Sequence, residues 1–170
     1  MTLNPYVFIY LVAIVAANLI VNAFGPSASI FIAFLFIGLD LSLRDQLHDS
    51  WQNKQLVQKM AALIISGSLI TILLNLQAMQ IAVASATAFG VAAIGDGIVY
   101  QLLRKRIFLV RASGSNIAGA ALDSIIFPTI AFGGLMPAIV AGQFAAKVVG
   151  GAIWSLVILR IREKRHSNSI

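Results

Sequence analysis

Long apolar stretches separated by short polar ones set the plan of this chain. Six stretches qualify as membrane-crossing helices: Asn4 to Phe24, Ser27 to Leu43, Leu56 to Leu74, Ala78 to Leu103, Asn116 to Leu135 and Pro137 to Leu159. A span needs about 20 mainly apolar residues, with a range of roughly 17–25. Gly25-Pro26, Asn75-Leu76-Gln77 and Met136-Pro137 read as tight turns. Longer polar links run from Arg44 to Gln55 and from Arg104 to Ser115, and the tail after Arg160 is polar and expected to fray. The pattern predicts an all-α, polytopic membrane protein with six transmembrane helices in a single domain over residues 1–170. The first stretch lacks a basic n-region and is longer than the apolar core of a signal peptide, so it reads as an uncleaved span.

The distribution of basic residues tests this count. With six spans, eleven of the twelve Lys and Arg residues fall on the side that carries both termini and the two longer links. The twelfth, Lys147, lies within the last span. The positive-inside rule then puts the N- and C-termini in the cytoplasm of an inner-membrane protein. Five or seven spans would scatter the basic links over both sides. Asp40 near the end of the second span and Arg44, one helical turn on at the start of the first longer link, read as a juxtamembrane ion pair.

Composition agrees and excludes other classes. The chain is 59% hydrophobic and 11% charged, against about 25% charged for a soluble domain. The net charge of +6 therefore speaks for membrane orientation and not for nucleic acid. There is no cysteine, and His48 and His166 lie in separate polar segments, so neither thiolate chemistry nor a metal cluster is expected. No Gly-rich phosphate loop, Ser-His-Asp set or HExxH pattern occurs. The chain reads as neither an enzyme nor an ATP motor, and no cofactor is expected.

Candidate chemistry lies in the charges inside the spans. A charge at the bilayer centre costs roughly 2.5–3.5 kcal/mol on insertion scales and by default marks a substrate or ion path. Asp96 in the fourth span shares a helix face with Phe89, Ala93 and Tyr100. Asp123 in the fifth shares one with Asn116, Gly119 and Phe127, and Lys147 in the sixth with Gln143 and Trp154. Asn18 and Asn22 lie one turn apart in the first. A rise of about 1.5 Å per residue puts Asp96 and Asp123 roughly 10–15 Å from the basic ends and Lys147 roughly 18–20 Å. An Asp123–Lys147 contact is within reach, and Asp96 can join it. The plain structural reading is an ion pair that fixes helix register. Rows of small residues such as Gly142, Ala146 and Gly150 read as helix-packing surfaces. Pro128 removes one backbone hydrogen bond next to Asp123 and is expected to kink that helix.

ASATAFGVAAIGDGIVYQLLRKR, GSNIAGAALDSIIFPTIAFG and GQFAAKVVGGAIWS, with the early GLDLSLRDQLHDSW, resemble the vitamin-uptake-transporter (VUT) family. The resemblance runs from about Ala17 to Trp154. One departure is Val91-Ala92-Ala93-Ile94, where many members carry an acidic residue before the Asp of the fourth span. The resemblance implies a small six-span importer of queuosine precursors, 7-deazaguanine bases such as 7-cyano-7-deazaguanine. It implies a binding site built from Asp96, Asp123, Lys147, Asn116 and Gln143, with Phe89, Tyr100, Phe127 and Trp154 for stacking and Asn18 beside them. A carboxylate suits the adjacent N–H donors of a guanine-like edge, and Lys, Gln or Asn can donate to its carbonyl. Two other readings stand beside it. One is a substrate-binding subunit served by a separate ATPase module, or acting as a homo-oligomer. The other is a membrane scaffold whose charges only set packing.

Overall fold

The computed structural model describes residues 5–36 and 55–167. Asp40, Arg44 and His48 fall outside the described residues. Six α-helices follow one another: α1 (Pro5–Phe24), α2 (Pro26–Phe36), α3 (Leu56–Leu74), α4 (Met79–Leu102), α5 (Phe108–Ala131) and α6 (Pro137–Ser167). No strand occurs among the described residues. Among the described residues, four helical segments are long and apolar enough to cross a membrane: Pro5–Phe24, Val57–Leu74, Leu76–Leu102 and Pro137–Trp154. The described part of α2 is shorter, and α5 carries Arg111, a run of small polar residues and Asp123.

The tight turns form where the residues dictate them. Gly25 takes a φ of 77° and its N–H closes on the Val21 carbonyl at 2.8 Å. A glycine tolerates this left-handed conformation at a helix end, and Pro26 then starts α2 at a position that needs no donor. Asn75 ends α3 in an extended conformation. Its side chain accepts the Gln77 N–H at 3.0 Å, starting a short 3-10 turn (Leu76–Ala78) that leads into α4. Phe132 caps the end of α5, with Gly133 at a φ of 74°.

Three boundaries differ from the hydropathy pattern. α5 begins at Phe108, not Asn116, and ends at Ala131, not Leu135. α6 continues to Ser167, through the tail expected to fray. α5 stops early at the turn through Gly133, and the two extensions share one reason. Hydropathy marks what can lie in hydrocarbon, whereas the helical hydrogen-bond ladder continues through polar residues until a turn residue stops it. α5 also runs on as a helix through Pro128 to Ala131.

The most extensive helix pair is α4 with α5. The two are antiparallel: Gln80 near the start of α4 donates to the Ile130 carbonyl near the end of α5 at 2.9 Å. Small residues let them approach. A Cβ at Gly95 would collide with Leu122, and one at Gly114 would lie 2.7 Å from Leu103. Ala82, Ala84 and Ala88 on α4 are fully buried. One apolar core cluster joins Val21, Ile32, Ile81, Ala84 and Ala131 from α1, α2, α4 and α5. A second joins Tyr10 on α1 to Met60 and Leu63 on α3. Because the neighbouring medium in a bilayer is as apolar as these side chains, close packing and interhelical hydrogen bonds hold such helices together.

Candidate functional site

Gln143 and Lys147 stand one turn apart on α6, so they share a face. Asp123 and Ser124 meet them from α5. The Lys147 ammonium pairs with the Asp123 carboxylate and also donates to Ser124 Oγ at 3.3 Å and to Gln143 Oε1 at 3.4 Å. An ammonium has three donors, and here each has an acceptor. The Gln143 amide donates in turn to Ser29 Oγ on α2 at 2.7 Å, and the Ser29 hydroxyl donates to the Pro26 carbonyl. Gln143, Ser124 and Ser29 are buried. This chain of bonds ties α2, α5 and α6 around one cation. The side chains of Lys147 and Asp123 are 13% and 26% exposed, so the carboxylate keeps more access than the cation.

Asp96 lies in a different state. It is half-buried on α4, opposite Gly119 of α5. Gly119 lacks a side chain, and a Cβ placed there would stand 3.5 Å from Asp96 Cβ. Gly119 is one turn before Asp123, so Asp96 packs against the same stripe of α5 that carries the ion pair. Its Oδ1 is buried and accepts no hydrogen bond. Asp96 is not among the acceptors of Lys147.

The other predicted residues are distributed around these two. Phe89 and Tyr100 are half-buried on α4, two turns before and one turn after Asp96. Asn116 is exposed near the start of α5. Phe127 packs against the core cluster and stands edge-on to Phe132 at 6.1 Å. The Trp154 indole donates to the Phe34 carbonyl at 3.2 Å and pins α6 to α2. Asn18 is buried and donates to Thr71 Oγ1 on α3 at 3.4 Å, while Thr71 donates to the Gly67 carbonyl at 2.8 Å. The structure therefore brings Asp123, Lys147 and Gln143 into one network, sets Asp96 beside it, and gives Asn18 and Trp154 partners elsewhere. Ser29 and Ser124 belong to the network and were not singled out from the sequence. Serines are common in spans, and only the adjacency of Ser124 to Asp123 hinted at a role. Among the described residues no group of His, Cys, Asp and Glu could hold a metal ion.

Comparison with known proteins returns one family. A family model described as "Putative vitamin uptake transporter" matches residues 6–161. No curated protein and no solved structure matches the chain.

Proposed function

Because the chain belongs to the vitamin uptake transporter family, a family of membrane transporters, we propose that it imports a 7-deazaguanine base such as 7-cyano-7-deazaguanine across the inner membrane. In this reading it does so through six spans, with both termini in the cytoplasm. The observation that carries the site assignment is the buried, partnerless Oδ1 of Asp96. A buried acceptor left unpaired costs about 1–3 kcal/mol, and more when charged. A ligand that brings donors to this oxygen recovers that cost on binding. The Watson–Crick edge of a guanine-like ring offers two adjacent N–H groups, which one carboxylate can accept together. Phe89 and Tyr100, from the same helix, supply stacking faces for the flat ring.

The roles of the two carboxylates then separate. Asp123 is committed to Lys147, and that pair with Ser124, Gln143 and Ser29 forms the frame that holds α2, α5 and α6 in register. Asp96 is the recognition group. Asn116, exposed near the start of α5, remains a secondary donor toward the ring carbonyl or nitrile, whereas Gln143 is held in the frame. The test is uptake of labelled 7-cyano-7-deazaguanine by proteoliposomes holding the purified chain alone. Saturable uptake is expected, and it falls roughly 10- to 100-fold in Asp96→Asn, the loss of a hydrogen bond to a charged group. Unchanged uptake in that variant overturns the site assignment. Binding without uptake points instead to a subunit that needs a separate ATPase module.

One observation favours a second reading. The Asp123–Lys147 pair is closed and its cation is fully bonded, as a membrane scaffold with purely structural charges requires. That reading predicts no rise in unfolding temperature with any 7-deazaguanine, whereas a ligand that binds only the folded form raises it.

A further inference from the structure

α4 turns its small-residue side to α5, and the opposite side of its C-terminal half is left uncovered by the described residues. Ala93, Ile94, Gly97, Ile98, Gln101 and Leu102 are all exposed. They line an open groove of about 900 Å³ that ends at Arg104 and Lys105. A Cβ at Gly97 would meet nothing within 4 Å, so none of the described helices covers this face.

We propose that this groove is a binding site for an anionic phospholipid. One acyl chain lies along α4, and the headgroup phosphate sits on Arg104 and Lys105. Three observations carry this. The apolar lining from Ala93 to Leu102 measures about 13 Å along the axis at a rise of about 1.5 Å per residue. That is close to one leaflet of a hydrocarbon core about 30 Å thick. The two cations stand at one end only, where the chain leaves the helix, and among the described residues no carboxylate lines the groove. The exposed Gln101 amide lies one turn below them, at the level where an acyl ester needs a donor. A second copy of the chain fits less well. Two copies in the same membrane orientation, related by a two-fold axis along the membrane normal, would set Arg104 and Lys105 of one against those of the other.

The test is native mass spectrometry of the full chain released from detergent. It is equilibrated with palmitoyl-oleoyl phosphatidylglycerol or, separately, with the phosphatidylcholine of the same acyl chains. Phosphatidylglycerol adducts should dominate. Each basic residue near an anionic surface is worth about fivefold, so Arg104→Gln with Lys105→Gln should cut the phosphatidylglycerol affinity roughly 25-fold. Arg106→Gln removes the same charge just outside the groove and should change it less than twofold. Gly97→Leu fills the groove, keeps both cations and should remove the adduct. Equal retention of the two lipids by the wild-type chain overturns the proposal. So does an Arg106→Gln loss equal to that of the double variant, or an adduct that survives Gly97→Leu. Disulfide-linked dimers of Gly97→Cys in place of lipid adducts would assign the groove to a second copy instead.

Discussion

Asp123 and Asp96 occupy the same stretch of α5 surface and live under opposite conditions. Asp123 faces α6 and has Lys147, itself held by Ser124 and Gln143. Asp96 comes from α4, meets a glycine, and has a buried oxygen with no partner. One carboxylate is built into the frame and the other is left unsatisfied. A group whose bonds are all made within the protein has little to offer a ligand. A group that is buried and short of a bond gains by binding one. The comparison assigns structure to the first and recognition to the second, and it can be broken at either end.

The largest expected effect comes from Asp123→Ala. It leaves the ammonium buried without its counter-ion, and removing one member of a buried pair costs about 3–5 kcal/mol. Partial exposure of this pair puts the expected loss at the lower end. Thermal unfolding in detergent should show it, and uptake should be abolished while the chain still inserts. The double variant Asp123→Leu with Lys147→Met should regain most of the stability, because apolar replacement of such a pair is often neutral. If the double variant is as unstable as the single one, the frame does not rest on this pair.

Asp96→Asn comes next and should separate the two functions. Its unfolding temperature should stay within a degree or two of wild type or rise, while uptake drops. A large loss of stability would mean that Asp96 has a structural partner after all. Ser29→Ala is expected to cost about 1 kcal/mol, the net worth of one hydrogen bond, because it removes the acceptor of the Gln143 amide. It should leave ligand selectivity unchanged. The smallest effect is expected from Gly119→Ala. The added Cβ would lie in ordinary contact at 3.5 Å from Asp96 Cβ and the Ala92 carbonyl. The gain in helix propensity, about 1 kcal/mol, offsets any adjustment. Stability within about 1 kcal/mol of wild type would show that Asp96 has room beside it, and a large loss would show that it is clamped.

Much of the architecture was legible in the order of residues. Apolar length located the helices, Gly25-Pro26 and Asn75 marked turns that the structure forms, and Pro137 marked the start of α6, although the link before it runs over residues 132–136 and is not a tight turn at Met136-Pro137. The Asp123–Lys147 pair was foreseeable because a charge inside an apolar stretch must find a partner or a cavity. Helix ends were less legible. α5 starts earlier than its apolar segment and α6 ends later, since hydropathy reports the solvent a residue prefers and not where the backbone ladder stops. Asn18 illustrates another limit. Its polarity in a span was plain, but its partner Thr71 lies on α3, far along the chain. Nothing local identifies that partner.

By itself, the sequence determined the medium, the helical class and the set of charges that must be accommodated. It did so because transfer of apolar and charged groups into a bilayer depends on composition and length alone. It placed Asp96 and Asp123 at equal depth and could not rank them as partners for Lys147. The tertiary structure made that choice. Gly95 lets α4 and α5 close together and Asp96 lies against the bare backbone at Gly119, while α6 lays Gln143 and Lys147 against the neighbouring face of α5. Which carboxylate receives the lysine depends on how the helices are rotated against each other. That rotation is set by contacts between residues distant in the chain, so it exists only once the helices have packed.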